Sequence, residues 1–304
     1  FAWGSWLVPS QKVRSASQQI KTFYVALSTF IMAVAVVGIR GEWGLLTSLI
    51  AWIPLLGGLI WSLSAWCAFS ACKHIGIAKA FGIWSPLNIV VSFIWSLTLF
   101  GQFRSSPFPV FLLAGQSILL ITIGILMIIC ANSADIQQKS ADVRSVKKGI
   151  AGAGAAGVLW GSYYIPSAWL SRCASGTIEI SVWASTLPLA AGMLLGTLIF
   201  LLISRQTPKL QKTSDYACIL SSGALWAVGN FCMLLTVQQI GPGPGYTIAS
   251  LCIAVNTFWG IFYFKEPTPR SRAAWIMMLG ILLTLLAGMV LGNLTAIEHM
   301  CGAG

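Results

Sequence analysis

Tryptophan and asparagine recur about one helical turn apart, within segments of the sequence that are otherwise apolar. The three pairs are Trp84 with Asn88, Trp226 with Asn230, and Asn256 with Trp259. A tryptophan ring offers a broad apolar face, and an amide both donates and accepts hydrogen bonds. An amide without a partner is costly in an apolar segment, so each asparagine must face another helix or a wet cavity. The pairs predict a site for a small neutral polar ligand. In the structural alternative, the asparagines form hydrogen bonds between helices. The tryptophans then pack between helices or lie in a belt at the membrane interface.

One of these segments places its polar and aromatic residues on a single stripe. Ser92 and Trp95 follow Trp84 and Asn88 at helical spacing, so that all four residues share one helix face. Lys79 is the only cation inside a predicted apolar segment. It lies about one turn from the segment's end, where it either lines the same cavity or extends its ammonium group to the lipid headgroups.

Residues for catalysis or metal binding do not form a recognisable set. The seven carboxylates lie in predicted loops, in the tail or at the ends of apolar segments, and His74 and His299 lie in a loop and in the tail. The eight cysteines include no C-x-x-C pair, and the sequence has no glycine-rich phosphate loop. We therefore expect no enzyme activity, metal, cofactor or ATP hydrolysis. Without a carboxylate in mid-segment, coupling to H⁺ stays open, and facilitated diffusion or exchange fits equally well.

The elements that carry these residues are membrane-spanning helices. Of the 304 residues, 57 % are hydrophobic and 8 % are charged, and the mean hydropathy is +0.83. A protein with so few charged residues cannot form a water-soluble surface. We therefore expect most of its outer surface to contact the lipid bilayer, which is its predicted partner. The net charge of +11 has no soluble domain to carry it, which argues against a nucleic-acid partner. A channel is a weaker alternative, because only the stripe from Trp84 to Trp95 resembles a polar pore lining.

Nine apolar runs are long enough to cross about 30 Å of hydrocarbon. They lie near 23–39, 44–71, 75–100, 108–131, 149–170, 180–203, 216–237, 241–264 and 273–292. The shorter stretch Phe1–Pro9 is interpreted as the end of a tenth span, and we expect about nine apolar residues to precede Phe1. The polar stretch 132–148 lies near the middle of the chain, where a linker between two halves is expected.

Basic residues divide unequally between the two sides of these ten spans. Fifteen of the eighteen lysines and arginines follow odd-numbered spans, whereas Arg40, Arg104 and Arg172 lie on the other side. The positive-inside rule then places the linker in the cytoplasm and both termini outside, in a multi-pass protein of the cytoplasmic membrane. In this topology Ser140 is cytoplasmic and Thr177 is external.

The two halves of the sequence repeat one another. The segment from Trp3 to Ser10 matches the segment from Trp160 to Ser167 at five of eight positions. Further on, Gly58, Trp61, Cys67, Ile75 and Gly76 match Gly223, Trp226, Cys232, Ile240 and Gly241 without a gap. Five spans are an odd number, so the second copy must enter the membrane from the opposite side. The predicted fold is all-α, with ten transmembrane helices in a 5+5 inverted repeat. Its parts are a first repeat at 1–131, a linker at 132–148, a second repeat at 149–293 and an external tail at 294–304.

The repeated segment supplies further candidates. Gly4 and Gly161 allow close helix packing, and Pro9 and Pro166 bend a span, so these four residues are predicted hinges. Ser5 and Ser162, and Tyr163 beside the second, are predicted to contribute hydroxyl groups to the binding site. The alternative is that the segment only packs and bends the helices.

The sequence resembles the drug/metabolite transporter superfamily, and most of all its glucose/ribose porter family of sugar uptake proteins. The resemblance rests on Trp3-Gly-Ser to Lys12, on Ser222-Gly-Ala-Leu-Trp226-Ala-Val-Gly-Asn230, and on Gly260-Ile-Phe-Tyr-Phe-Lys265-Glu266. It implies a secondary transporter that moves a sugar by alternating access through a cavity formed by both halves. Carriers of ureides or purines, amino acids or drugs share the same plan, so they are the alternative.

Overall fold

Apolar runs fold as helices because lipid offers no hydrogen-bonding partner to an open backbone. The computed structural model describes residues 1–13, 15–103, 106–139, 143–173 and 181–302, which contain helices and no strands. The helices are α1 (Ala2–Ser5), α2 (Leu7–Gln11), α3 (Gln18–Arg40), α4 (Pro54–Ile75), α5 (Ile77–Thr98), α6 (Phe108–Lys139), α7 (Val143–Trp160), α8 (Ile165–Cys173), α9 (Val182–Ile203), α10 (Thr213–Ile240), α11 (Pro242–Ser250), α12 (Ile253–Phe258), α13 (Arg272–Gly292) and α14 (Leu294–Gly302). Short 3₁₀ turns occupy Glu42–Leu46 and Leu49–Trp52, and a π-helical turn, Trp259–Tyr263, follows α12.

Eight helical segments of the described chain are long and apolar enough to cross a membrane. They are Gln18–Arg40, Leu49–Ile75, Ile77–Thr98, Phe108–Ala131, Val182–Ile203, Thr213–Ile240, Pro242–Tyr263 and Arg272–Gly292. The two other predicted spans are both broken helices. Helices α1 and α2 meet at Trp6, and α7 and α8 are separated by the turn 161–164. The break therefore falls within the repeated segment in both copies.

The predicted linker is partly helical. Helix α6 continues past its apolar part to Lys139, and α7 begins at Val143. Ser140, predicted to be cytoplasmic, and Thr177, predicted to be external, lie outside the described residues.

Helices α3 and α9 begin with the same kind of serine cap and pack in opposite directions. Ser17 caps α3 by accepting a hydrogen bond from the Ile20 amide, and Ser181 caps α9 in the same way through the Ala184 amide. The Ser17 hydroxyl also donates to Gln206, just beyond the end of α9. At the other end, the Ser181 hydroxyl donates to Glu42, just beyond the end of α3. Each helix therefore begins where the other ends.

Two close helix crossings occur at glycines that match in the predicted sequence repeat. Helix α4 crosses α9 at Gly58, where an added Cβ atom would lie 2.0 Å from the Leu189 carbonyl oxygen. Helix α10 crosses α3 at Gly223, where an added Cβ would lie 2.6 Å from the Val25 carbonyl oxygen. Glycine is needed at both places because the backbones themselves are in contact.

Candidate functional site

A small central cavity lies where the broken helices meet α5, α10 and α11. Eight of its twelve wall residues are aromatic. The wall consists of Trp3, Trp6, Phe81, Trp84, Ser85, Asn88, Trp160, Tyr163, Trp226, Tyr246, Ser250 and Cys252. None of these described wall residues is an acid or a lysine or arginine, so the cavity suits a neutral ligand.

The rings enclose the cavity by contacting one another, mostly at an angle. Trp160 meets Trp84 at a centroid distance of 5.2 Å and Trp6 at 5.9 Å, both edge to face. Across the cavity, Trp226 lies 6.5 Å from Trp3 and 6.1 Å from Tyr163. The open space inside is about 30 Å³, enough for water but far below the roughly 300 Å³ at which ligand pockets begin. A larger ligand therefore requires these rings to separate.

Several buried polar groups around the cavity have no hydrogen-bond partner among the described residues. On the wall these are the Trp160 indole N–H and the Ser250 hydroxyl. Behind the wall they are the Asn230 amide nitrogen and the Trp61 indole N–H, both on side chains with no exposed surface. Buried polar groups are nearly always paired in folded proteins, so such a cluster indicates a place where water or a ligand supplies the partners.

Tyr163 and Asn230 connect the turn after α7 to α10 beside the cavity. The Tyr163 hydroxyl donates to Asn230 Oδ1 at 2.9 Å, which fixes the amide orientation and leaves its two N–H donors available. On the opposite wall, Asn88 donates to the carbonyls of Gly157 at 2.6 Å and Trp84 at 3.0 Å when its amide is oriented to suit them. Both asparagines thus form the interhelical hydrogen bonds of the structural alternative, and Asn88 also reaches the cavity.

The repeated segment makes the same contacts in both copies. Next to α1, Trp259 Nε1 donates to Ser5 Oγ at 2.9 Å, and an added Cβ on Gly4 would lie 2.5 Å from Val255. Next to the end of α7, Trp95 Nε1 donates to Ser162 Oγ at 2.9 Å. An added Cβ on Gly161 would lie 2.6 Å from Val91. Asn256 adds a hydrogen bond from Nδ2 to the Gly4 carbonyl at 3.2 Å, while its Oδ1 has no partner among the described residues.

The structure brings four of the ten predicted binding residues onto the cavity wall: Trp84, Asn88, Tyr163 and Trp226. Asn230 lies directly behind Tyr163. Four others, Ser5, Ser162, Asn256 and Trp259, lie at the helix breaks, and Lys79 is buried in the first turn of α5, away from the wall. Of the predicted hinges, Gly4 lies inside α1, two residues before the break at Trp6, and Gly161 begins the turn 161–164. Pro9 lies inside α2, and Pro166 lies in the first turn of α8.

Sequence reasoning missed several wall residues, of which Trp3, Trp6, Trp160 and Tyr246 contribute the largest rings. Trp3 and Trp160 carried a signal, because they are the tryptophans of the repeated segment itself. Other tryptophans are on the outer surface, as the belt interpretation expects. Trp43 and Trp275 are 50 % and 64 % exposed.

Two larger cavities flank the central one at opposite ends of α3. The first, called here the basic vestibule, has about 710 Å³ and lies where α3 begins, lined by Lys21, Lys73 and Phe69 among others. The second, called the neutral vestibule, has about 280 Å³ and lies where α9 begins, lined by Ser185 and Gln238 among others. Phe69 packs edge to face on Trp6 at 5.7 Å, so one pair of rings separates the basic vestibule from the central cavity.

Comparison with known proteins gives one consistent result. A family model described as "Sugar transport protein" matches residues 1–294. Relatives named "Putative sugar uptake protein" include one from Enterococcus faecalis, 23 % identical over 97 % of this chain and 96 % of its own length. One from Streptococcus agalactiae is 25 % identical over 96 % and 94 % of the two chains. A solved crystal structure superposes with a TM-score of 0.62 at 16 % identity, over 96 % of this chain and 94 % of that one, which is a likeness of fold.

Proposed function

The chain belongs to the sugar transport protein family and is a multi-pass membrane protein, and from this premise we propose that it is a secondary transporter for a small neutral sugar. The observation that carries the proposal is the central cavity. Its aromatic wall offers faces for the apolar C–H surfaces of a sugar ring, and the unpaired groups of Trp160, Ser250 and Asn230 offer hydrogen bonds to its hydroxyls.

Alternating access is the proposed mechanism. With ten spans in two inverted halves, the cavity would open in turn to one side of the membrane and then to the other. The broken helices would be the segments that move. The antiparallel packing of α3 on α9 and the paired contacts at Ser5 and Ser162 support this arrangement. The ligand would enter from one vestibule, bind between the separated rings of Trp160 and Trp226, and leave through the other vestibule.

The basic vestibule is proposed to face the cytoplasm, with both termini outside, because lysines and arginines concentrate on that side. Transport as facilitated diffusion, exchange or proton symport is compatible with the cavity. Its described wall has no carboxylate to carry a coupled proton.

The test is uptake into proteoliposomes that contain the purified protein. Labelled monosaccharides are compared with a labelled purine derivative and a labelled amino acid. Saturable uptake of a monosaccharide that is absent from protein-free liposomes supports the proposal. Uptake of the purine or the amino acid, without uptake of a monosaccharide, would contradict the proposal. The substrate would then be a flat or a zwitterionic molecule. Such a substrate also suits an aromatic cavity without acids.

A further inference from the structure

Lys21 is a largely buried lysine without an ion-pair partner among the described residues. Its side chain is only 6 % exposed and lines the basic vestibule. It has no hydrogen bond from its ammonium group and no ion pair within 4.0 Å among the described residues. Glu266 lines the same vestibule without pairing to it, and the Cys72 thiol lines it as well. A lysine whose side chain is this far removed from bulk water favours an anionic partner for its ammonium group.

The start of α3 makes the same position still more positive. Lys21 stands in the first turn of a 23-residue helix, where the helix dipole disfavours a cation and favours an anion. The Ser17 hydroxyl satisfies the Ile20 amide. The amides of Gln18 and Gln19, which also line the vestibule, have no partner among the described residues. The start of α3 therefore brings a largely buried lysine and two residues with unpartnered amides to the lining of one cavity.

The neutral vestibule shows that the architecture does not require these charges. Ser17 and Ser181 are equivalent caps, so Ser185 takes the place of Lys21 one turn into α9. In the ungapped match between the halves, Gln238 takes the place of Lys73 near the end of α10. Both lysines line the basic vestibule, and both equivalents line the neutral one. The helix packing is thus compatible with neutral residues at both positions, and the lysines need a reason beyond packing.

We propose that the basic vestibule is a binding site for a phosphate-bearing anion, distinct from the central sugar cavity. The Lys21 and Lys73 ammonium groups and the amides at the start of α3 provide the donors, which is the usual chemistry of phosphate sites at helix N-termini. Glu266 is the one carboxylate among the described residues that line the site. The phosphate belongs either to a soluble ester, such as a sugar phosphate, or to a lipid headgroup.

Binding is measured by isothermal titration on the purified protein in nanodiscs of zwitterionic lipid, at constant ionic strength. Inorganic phosphate and glucose 6-phosphate are the probes, and glucose is the uncharged comparison. Both phosphates are expected to bind saturably at millimolar concentration or below, whether or not the protein transports sugar. Lys21→Gln is expected to weaken this binding by about tenfold or more, which is the loss of about 1.4 kcal/mol. Lys209→Gln is the matched control, because Lys209 is exposed at the same end of the molecule and lies outside the vestibule wall.

A second variant and a second lipid complete the test. Lys73 is exposed at the vestibule rim, so Lys73→Gln should fold normally, and weakened binding in this variant supports the site even if Lys21→Gln is unstable. If phosphatidylglycerol in the nanodiscs competes with phosphate in the wild type, the site stands and its occupant is a lipid headgroup. Absence of saturable phosphate binding to the wild type in zwitterionic lipid would overturn the proposal, as would an equal loss in Lys209→Gln.

Discussion

The indole N–H of Trp259 donates a 2.9 Å hydrogen bond to the hydroxyl of Ser5, from the second predicted half of the chain to the first. Trp95 and Ser162 form the same bond, also at 2.9 Å, from the first half to the second. Each bond holds a predicted moving segment against the opposite half. Movement of the halves against one another must therefore act on both bonds, which makes them a test of the proposed mechanism.

Ser5→Ala and Ser162→Ala are each expected to change the uptake rate by about two- to tenfold. The reason is that one hydrogen bond contributes about 0.5–1.5 kcal/mol to the balance between conformations. Uptake is measured in proteoliposomes at equal amounts of inserted protein. The control is Ser221→Ala, because the Ser221 hydroxyl is exposed and bonds only within its own helix, to Cys218. If both variants transport as Ser221→Ala does, the two bonds have no part in the movement.

Asn230→Ala and Asn256→Ala are expected to abolish uptake while the protein still reaches the membrane at normal levels. Asn230 would lose its bond with Tyr163 and its unpartnered N–H donors, and Asn256 would release the Gly4 carbonyl. Tyr163→Phe removes one hydroxyl and leaves the ring on the wall, so its effect should be smaller. The measurements are uptake and the yield of monodisperse protein. A loss of uptake in proportion to a loss of folded protein would make both asparagines structural.

The proposed orientation is tested with two matched cysteine substitutions at exposed threonines. Thr47 follows α3 and Thr207 follows α9, at opposite ends of the molecule. In cells, a membrane-impermeant thiol reagent should label Thr47→Cys directly and Thr207→Cys only after permeabilisation. The background lacks the exposed cysteines Cys130 and Cys232. Labelling of Thr207→Cys in intact cells would reverse the orientation.

The sequence was sufficient for the helices and only partly for the site. Eight of the ten predicted spans coincide with helices of sufficient length, because an apolar run of twenty residues has few other solutions in lipid. The faces of those helices could not be assigned in the same way. In α4 and α13 apolar residues occur on all sides, since lipid and protein interior are both apolar, so no amphipathic stripe marks the inner face.

The cavity could not be predicted from the sequence, because the inward-facing side of each helix was not known. Trp3, Trp160 and Tyr246 come from three distant segments, and only the helix crossings bring their rings together. The amides were easier to predict, because a buried amide needs a partner wherever it lies. That rule identifies Asn88 and Asn230 as interior residues and does not say whether their partner is a helix or a ligand.

Glu42 provides a prediction on pH dependence. Burial alone would raise the pKa of its carboxyl. Hydrogen bonds from Ser181 and from Arg40, whose Nε lies 2.6 Å away, outweigh that effect and hold the pKa below its usual range. A lowered pKa in the folded state contributes stability above the unfolded pKa of about 4.3, and this contribution is lost as the pH falls through the lower folded value.

Glu42→Gln should therefore lower the thermal midpoint at pH 7 and make no difference near pH 3. The expected change is only about 1–2 °C, because the group is near the surface and solvent screens the pair. The purified protein is melted at both pH values in parallel with the wild type. A difference that persists undiminished at pH 3 would show that the ionised carboxylate is not responsible.

Gly58→Ala tests the crossing of α4 over α9 most directly. The new methyl group would lie 2.0 Å from the Leu189 carbonyl oxygen, and backbone cannot move aside as a flexible side chain does. We expect the helices to separate at a cost of about 1–3 kcal/mol or more, with lower thermal stability and little uptake. Gly223→Ala, at the equivalent crossing of α10 over α3, should be somewhat milder, because the nearest atoms are 2.6 Å away.

The matched control is Gly115→Ala inside α6, two turns from its start, where an added Cβ meets no atom within 4 Å. Alanine is a better helix residue than glycine, so this variant should be as stable as the wild type or slightly more so. The three variants make the same chemical change, and they differ only in what the methyl group meets. Equal melting behaviour for Gly58→Ala and Gly115→Ala would mean that the two backbones are not in contact at this crossing. An intact Gly223→Ala beside a disrupted Gly58→Ala would mean that the two crossings are not equivalent, which would count against the inverted repeat.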